Sequence, residues 1–352
     1  MPEKVKVGVV GTSWWADLMF LPIFAGYERA QLSAICGRNR ERADEMAAKY
    51  KISQVYTDYR EMIAQGGLDA VVVITSDDTH YEIVMAALDA GLHVLCDKPI
   101  ALNVSDAKAM YEKAEAVHVK HMVMYTWYWI PAFQRLKELV DQGYIGKVYG
   151  GSFSWLAGFG RSPGYQWRYD AERSNGVVAD VGSHLFQFAR LLLGDVKAVS
   201  AQLGYDIKRE SGDGRILKPA NDSAFVTLEF ASGTLLQTQI SATAGKLDNE
   251  WERNFILYGE RGTLSASAGF KEGFSVHLRG WQESSDDKVD EQSDVDFLEL
   301  FQNKSVGPRQ FIDSILDDRQ IYPGLYEGYK VQQVIDAALE SHRSGCRVTI
   351  AP

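Results

Sequence analysis

The first third of the chain alternates short apolar runs with longer amphipathic stretches. Val, Ile and Leu dominate most of the apolar runs, as expected for strands that are covered on both faces. These runs are KVKVGVV (4–10), AQLSAIC (30–36), LDAVVVIT (68–75), LHVLCDK (92–98) and VKHMVMY (119–125). Helices are predicted over RERADEMAAKYK (40–51), HYEIVMAALDAG (80–91) and SDAKAMYEKAEAV (105–117). This alternation predicts right-handed βαβ units, and therefore a doubly wound parallel sheet.

The pattern changes after about residue 126. Helices are predicted over 131–146, near 182–193 and within 308–345, with strand-like runs between them. Those runs are KVYGGSFSW, AFVTLEF, TLLQTQISA, ERNFILYG and GTLSAS. Strands that follow one another without long helices predict a large open, mostly antiparallel sheet. We therefore expect an α/β protein with a Rossmann-type domain at residues 1–126 and a second α/β domain at residues 127–352.

Composition narrows the class of protein. A chain of 352 residues exceeds what one core usually supports, which favours two domains. The formal net charge of −10 argues against a nucleic-acid surface. No apolar run approaches the roughly 18 residues that cross a bilayer, so no membrane partner is expected. Three well-separated cysteines and an N-terminus that enters a strand directly favour a cytoplasmic protein without disulfides.

The first strand opens into a glycine-containing turn, Gly11-Thr12-Ser13-Trp14-Trp15-Ala16. A dinucleotide fold needs a first glycine for the tight turn and a small second residue for the approach of the pyrophosphate. A small third residue then lets the helix pack on the strand. Gly11, Ser13 and Ala16 meet these demands, and we take Gly11, Thr12, Ser13 and Trp14 as candidate cofactor-binding residues. A strand–glycine–helix turn alone is a weak signal, but its place in a βαβ series strengthens it.

The end of the second strand reads Cys36-Gly37-Arg38-Asn39-Arg40-Glu41-Arg42. NAD-specific sites usually have an Asp or Glu at this strand end for the ribose hydroxyls, and none is present here. Arg38 can stack on adenine and pair with a 2′-phosphate, and Arg42 lies one helical turn further on. We therefore expect NADP to be preferred and NAD to be the alternative. The alternative is ordinary solvated arginines at a helix start, and it is weakened because cations near a helix start oppose the helix dipole.

The next two strands end in Thr75-Ser76-Asp77-Asp78-Thr79-His80 and in Cys96-Asp97-Lys98-Pro99. Ligands of open α/β sheets bind outside the carboxyl ends of the strands, so Lys98 is expected to point into a cleft. Asp97 beside it can orient the lysine. Thr75, Ser76, His80, Asp97 and Lys98 are therefore further candidate cofactor-binding residues, although His80 is better explained as packing the start of its helix.

Asp180 and His184 lie four residues apart at the start of a predicted helix, where they share a face. A carboxylate that orients an imidazole is the arrangement of a general base. The same spacing also occurs in ordinary surface or core hydrogen bonds. No metal is expected, because further ligands are not evident and no zinc-binding motif is present.

With these residues, the chain resembles the Gfo/Idh/MocA family, named after glucose–fructose oxidoreductase and inositol dehydrogenase. The resemblance covers nearly the whole chain, and its most specific parts are the strand-end Lys-Pro pair and the D-x-x-x-H pair. It is carried by GVVGTSWWA, AAKY, ITSDDTHYEIVMAALDAGLHVLCDKPIALN, PAFQRLKELVDQGYIGKV, Trp167-Arg168, GVVADVGSHLFQFARLLLG, NDSAFVTLEFASG and LYGERGTL.

The resemblance implies a bound nicotinamide cofactor and oxidation of a sugar or polyol hydroxyl, or reduction of the corresponding ketone. It places Lys98, Asp180 and His184 on the family's catalytic lysine, carboxylate and histidine. It also implies that the open sheet mediates a homodimer or homotetramer. Three positions depart from the family pattern: Ser13 replaces a glycine, Ser76 stands where proline is frequent, and Tyr128 takes the place of a frequent arginine.

Aromatic residues are dense between residues 125 and 169. Aromatic faces suit the C–H face of a pyranose, although core packing explains many of them as well. We take Trp127, Tyr128, Trp167 and Arg168 as candidate substrate-binding residues.

The predicted function is an NAD(P)-dependent oxidoreductase that acts on a sugar, a sugar derivative or a cyclitol. In the oxidation direction His184 accepts the hydroxyl proton, Asp180 orients it and Lys98 stabilises the developing alkoxide; Lys98 is the alternative proton carrier. One alternative function is a glycosidase or lyase that uses transient oxidation and retains its cofactor. A less favoured one is a non-catalytic nicotinamide sensor.

Overall fold

The structure is a computed structural model that describes residues 4–211, 214, 217–245, 251–270, 274–283, 288–304 and 306–351. Contacts within it divide the chain into two compact units. The first contains the chain up to Tyr125 together with Leu298–Tyr329, and the second contains Thr126–Phe297 together with the chain from Lys330 onward. Residues 298–329, which the sequence analysis placed in the second domain, therefore group with the first unit. No helix in the described part of the chain is long and apolar enough to cross a bilayer.

A six-stranded parallel sheet forms the centre of the first unit. Its strands are β1 (Val5–Val10), β2 (Ala30–Cys36), β3 (Gln54–Tyr56), β4 (Ala70–Val73), β5 (His93–Cys96) and β6 (His121–Val123). The strand order is β3-β2-β1-β4-β5-β6, which is the order of doubly wound dinucleotide-binding folds. Strand β4 is wholly buried, and β1 is buried except at Lys6, as their mostly apolar sequences predict.

Helices connect these strands, and most of them begin at a polar capping residue. They are α1 (Leu21–Ala25), α2 (Arg40–Tyr50), α3 (Tyr59–Gln65), α4 (Asp77–Asp89) and α5 (Val104–Ala116). The side chains of Asn39, Asp58 and Asn103 accept backbone N–H groups at the starts of α2, α3 and α5. The short elements β3 and α3 were not predicted, because three half-buried strand residues and two helical turns give little periodic signal.

The second unit is built on a nine-stranded sheet. After α6 (Pro131–Asp141) come β7 (Val148–Ala157), α7 (Val177–Asp180), α8 (Gly182–Leu193), β8 (Val196–Gly204), β9 (Ser223–Phe230), β10 (Leu235–Ser241), β11 (Trp251–Gly259), β12 (Gly262–Phe270), β13 (Phe274–Gln282) and β14 (Val289–Val295). The remaining elements of the chain are α9 (Phe297–Asn303), α10 (Pro308–Leu316), α11 (Leu325–Ser344) and β15 (Val348–Thr349).

The order of the large sheet is β14-β13-β12-β11-β7-β10-β9-β8-β15. Its neighbouring strands run antiparallel except for β7 and β10, which pair in parallel. The prediction of a parallel Rossmann-type sheet followed by a mostly antiparallel open sheet is therefore confirmed. In β9, for example, the buried Ala224, Val226 and Leu228 alternate with more exposed residues, which places one face of this strand in the core.

A buried ion pair anchors the loop after β8. The guanidinium of Arg209 lies 3.2 Å from the Asp222 carboxylate, and their side chains are 4% and 0% exposed. Asp222 also accepts the backbone N–H groups of Asp206 and Ile207, at 2.9 and 3.0 Å. The same guanidinium lies 3.7 Å from the ring centre of Tyr169. One carboxylate therefore compensates a buried cation and caps the loop backbone.

We predict that Asp222→Asn destabilises the protein by about 3–5 kcal/mol, because it leaves the buried Arg209 guanidinium without its counter-charge. Urea unfolding followed by tryptophan fluorescence measures the change. Asp44→Asn is the matched control: its partner Arg40 lies 2.9 Å away in an exposed pair, and such pairs contribute under about 1 kcal/mol. Equal stability of the two variants would contradict the prediction.

Candidate active site

The turn after β1 has a backbone that only glycine can adopt without strain. Gly11 has φ = +127°, and a Cβ atom at this position would lie 2.2 Å from the carbonyl oxygen of Ile74. Ile74 follows β4, so the turn lies against the neighbouring strand end. In the strand order of this sheet, β1 and β4 flank the point at which the connections reverse direction. Ligands of doubly wound sheets bind at that point.

The rest of this turn supplies the other features that a dinucleotide needs. Ser13 is exposed, and its hydroxyl accepts the N–H of Ala16 at 3.2 Å. Trp14 is 62% exposed and packs edge-on against Trp15. The helix that follows contains a π-helical turn over Ala16–Phe20, a rare element that often occurs at functional sites. A tight glycine turn that leads into a helix N-terminus fits a pyrophosphate.

At the end of β2, Arg38 and Arg42 have different surroundings. Arg38 is exposed and forms no ion pair with any residue that the structure describes. Arg42 lies 3.4 Å from Asp17 and 3.0 Å from Glu45. The hydrogen bond from Lys49 further holds the pKa of Asp17 below its usual range, so this carboxylate keeps its charge for Arg42. The geometry thus keeps Arg38 as a phosphate-binding candidate and gives Arg42 an ion-pairing role.

The ends of β4 and β5 carry the second group of predicted residues. Thr79 donates to the Thr75 hydroxyl at 2.7 Å, and Asp97 accepts the backbone N–H of Lys98 at 3.0 Å. Lys98 and Asp97 are half-buried, as are Thr75 and Ser76.

His80 differs from its neighbours, because it is only 1% exposed. Its Nδ1 and Nε2 atoms lie 2.8 and 3.2 Å from the carbonyl oxygens of Pro99 and Thr75. The structure therefore supports the packing interpretation of His80, rather than direct contact with a ligand.

In the second unit, His184 lies in an aromatic cluster. It is the third residue of α8 and is 6% exposed. Its ring stacks on Trp127, with 5.2 Å between centroids and 19° between planes. Trp155 lies 5.9 Å from the same ring and 4.9 Å from Trp127. The structure thus brings the predicted base together with one predicted substrate-binding tryptophan.

Asp180 is paired with a predicted substrate-binding residue. Its carboxylate lies 3.2 Å from Nε of Arg168, whose guanidinium lies 4.5 Å from the ring centre of Trp167. Burial, and then the negative charge of Asp180, raise the pKa of the Tyr169 phenol above its usual range. The helix is interrupted between Asp180 and His184, because α7 ends at Asp180 and α8 begins at Gly182. The continuous helix that the D-x-x-x-H spacing suggested is therefore broken at Val181.

Tyr128 is half-buried and packs edge-on against Trp129, with 4.8 Å between centroids. Its carbonyl oxygen accepts the side-chain amide of Gln134 in the first turn of α6. This bond fixes the short segment that also carries Trp127.

Sequence reasoning missed Arg253 of β11. This side chain is 2% exposed, and its guanidinium lies 4.3 Å from the ring centre of Trp155 and 5.4 Å from that of Trp251. Burial lowers the pKa of Arg253 to about 9. A signal was present: in ERNFILYG, Arg253 has the inward phase of the buried Phe255 and Leu257, so period-two alternation places a charge inside.

The N- and C-terminal parts of the chain each match a family model. Residues 5–125 match the oxidoreductase family, NAD-binding Rossmann fold, and residues 137–350 match the oxidoreductase family, C-terminal alpha/beta domain. The chain is 27% identical to D-glucoside 3-dehydrogenase of Escherichia coli, over 99% of this chain and 98% of that protein. It is 30% identical to myo-inositol 2-dehydrogenase of Thermotoga maritima, over 74% and 73% of the two chains.

A solved structure of levoglucosan dehydrogenase, in complex with NADH and L-sorbose, has the same fold. It superposes with a TM-score of 0.87 at 21% identity, over 99% of each chain. Together with the matched family models, this agrees with the strand order and the glycine turn described above. The chain therefore belongs to the Gfo/Idh/MocA family and is an NAD-binding oxidoreductase.

Proposed function

We propose that this protein is a nicotinamide-dependent dehydrogenase or reductase acting on a hydroxyl group of a sugar, a sugar derivative or a cyclitol, or on the corresponding ketone. The observation that carries the proposal is the stacking of the His184 imidazole on Trp127. Trp127 is itself 3% exposed, so it supports the His184 ring, a group able to accept a proton, inside a cluster of aromatic side chains. Aromatic side chains are the residue type that suits the C–H face of a sugar ring. The relatives that act on a glucoside, an inositol and levoglucosan support this substrate class.

In the oxidation direction, His184 accepts the proton of the reacting hydroxyl. Asp180, held by Arg168, supplies the negative charge that favours the imidazolium once the proton has moved. Lys98 donates a hydrogen bond that stabilises the developing alkoxide, and Lys98 is the alternative proton acceptor. The Gly11 turn and the Thr75–Ser76 segment would hold the nicotinamide cofactor, which when bound would supply the hydride-accepting carbon.

We predict that His184→Ala and Lys98→Ala each lower kcat by about 10²–10⁴-fold, because each removes a group that serves proton transfer or charge stabilisation. Asp180→Asn keeps the side-chain shape and retains part of the activity, with a displaced rate–pH profile. A screen of sugars and polyols with both cofactors identifies the substrate. Turnover of the parent protein and of each variant is then measured from the absorbance of the reduced nicotinamide.

Lys108→Ala is the control for the lysine variant, because Lys108 lies on the exposed surface of α5. Because Lys98 and His184 are proposed to serve one step, their double variant is expected to be barely worse than the poorer single one. Near-normal turnover by both single variants would contradict the mechanism.

The second candidate function is a glycosidase or lyase that oxidises its substrate transiently and keeps its cofactor. The same His184 and Lys98 groups can move a proton in an elimination. Product formation from a glycoside without net change in nicotinamide absorbance, by protein that copurifies with its cofactor, would favour this alternative.

We propose that the cofactor is NADP in preference to NAD. Arg38 is exposed at the carboxyl end of β2, and no carboxylate stands at that strand end to bind the ribose hydroxyls. Arg38 is the group available for a 2′-phosphate, since Arg42 is paired with Asp17 and Glu45.

Arg38→Ala is expected to weaken NADP(H) binding by about 10–100-fold and to leave NAD(H) binding almost unchanged, because one charge-assisted contact is lost. Fluorescence titration with NADPH and NADH measures both affinities. Arg40→Ala is the matched control, since Arg40 is exposed but paired with Asp44. An aspartate at Gly37 is a poor test, because its Cβ would lie 2.4 Å from Cγ2 of Thr12. Parallel loss of both affinities would contradict the preference for NADP.

We further propose that the protein is a cytoplasmic homodimer or homotetramer that associates through the outer face of the nine-stranded sheet. Leu235 of β10 and Tyr258 of β11 both align with Gly150 of β7, and Tyr258 aligns through Thr263 with Trp281 of β13. These three large side chains form one row and are 50–53% exposed. Exposed apolar rows of this kind are typical of interaction surfaces.

Sedimentation equilibrium at micromolar concentration is expected to give a dimer or tetramer of the 39.3 kDa chain. Tyr258→Lys is expected to shift the mass towards the monomer, because it places a charge in the centre of the row. Tyr205→Lys, at a 44% exposed tyrosine just after β8, is the control and leaves the mass unchanged. A monomeric parent protein would contradict the proposal.

A further inference from the structure

His80 connects the ends of two neighbouring strands of the parallel sheet. It lies in the first turn of α4, and the two carbonyl groups that its ring faces follow β4 and β5. Nδ1 lies 2.8 Å from the carbonyl oxygen of Pro99, and Nε2 lies 3.2 Å from that of Thr75. Pro99 is the residue after Lys98, and Thr75 begins the segment proposed to contact the cofactor. One ring therefore joins both segments.

The two ring contacts indicate which protonation state of His80 satisfies both carbonyl oxygens. A carbonyl oxygen only accepts hydrogen bonds, so both ring nitrogens must donate. A neutral imidazole carries one N–H and would turn a lone pair towards one of the two oxygens. The imidazolium form carries two N–H groups and satisfies both. The described geometry therefore favours a charged histidine at a site that is 1% exposed.

The surroundings agree with a positive charge. Burial by itself disfavours the charged form, but Cys96 of β5, the Pro99 carbonyl and Asp97 outweigh it and raise the pKa of His80 to about 9. On its own helix, Asp77 and Asp78 lie in the same first turn. His93, at the opposite end of β5, provides a contrast: burial and then Lys120 lower its pKa, and its Nδ1 accepts the Lys120 N–H at 2.9 Å.

We propose that protonated His80 links the ends of β4 and β5 and thereby acts as a positioning residue for Lys98. This inference rests on the proposed role of Lys98 in the reaction. His80 acts through the backbone: its two donated bonds hold Thr75 and Pro99, so the backbone of Lys98 is fixed on one side by His80 and on the other by Asp97. Small displacements of a reacting group cost large factors in rate, which gives such a link a function.

The protonation state is tested directly by ¹⁵N NMR of the histidine-labelled full-length protein at pH 7.5. This pH lies above the ordinary histidine pKa of 6.5 and below the raised His80 pKa of about 9. His80 is therefore expected to give the imidazolium pattern. His93 is expected to give a neutral pattern, and the variants His80→Gln and His93→Gln assign the two signals. A neutral His80 at this pH would overturn the proposal.

The positioning role is tested by kinetics. His80→Gln retains a donor on only one side, and we expect kcat to fall by about 10–100-fold. His93→Gln, at the start of β5 and away from Lys98 at the other end of that strand, is expected to leave kcat unchanged. In the Lys98→Ala background, His80→Gln is expected to cost less than about threefold, because residues that act through one another are not additive.

Two outcomes of the kinetic test would contradict the positioning role of His80, and they differ in what they say about the proposed function. Losses that multiply in the double variant would show that His80 acts independently of Lys98, and would overturn the positioning role. Near-normal turnover by Lys98→Ala alone would overturn the proposed function together with the positioning role. The NMR measurement on the parent protein separates these cases, because it reports on the link without reference to activity.

Discussion

The first unit depends on the close approach of the Gly11 backbone to the Ile74 carbonyl. The 2.2 Å between that oxygen and the place of a Cβ atom leaves no room for any side chain. Because β1 and β4 are neighbours at the reversal point of the sheet, this approach places the turn after β1 directly beside the segment that begins at Thr75. A dinucleotide-binding edge is thus built from backbone first, with side chains such as Ser13 and Arg38 added at its exposed margin.

The second unit contains polar side chains that are buried beside its sheet. His184 and Arg253 are both buried, and both lie against tryptophan rings. Indole faces carry negative electrostatic potential, so they help to stabilise the buried Arg253 guanidinium. The imidazole of His184 stacks on Trp127 and lies near Trp155. Stacking therefore accommodates in one cluster a permanent cation and a group proposed to gain and lose a proton.

Sequence reasoning predicted the elements whose pattern is long and regular. The buried strands β1 and β4 and the helices α2, α4, α5 and α8 follow from apolar periodicity, and the two-sheet architecture follows from their order. The three-residue β3 and the π-helical turn after Trp15 could not be predicted, because local sequence gives no period for them. The grouping of residues 298–329 with the first unit depends on contacts distant in sequence, such as the bond from Tyr27 to Asp313.

The residues of the candidate site also differ in whether local sequence predicts them. Chemistry-bearing residues at strand ends, such as Lys98, were found because a polar residue after a buried strand is a local signal. The ion-pair partners of other candidate residues were not found, because tertiary packing determines them. Asp180 pairs with Arg168, and Arg42 pairs with Asp17. His80 shows why the distinction matters. A histidine in the first turn of a helix has many ordinary explanations in sequence. Only the placement of two carbonyl oxygens around its ring indicates a buried charge that holds two strand ends together.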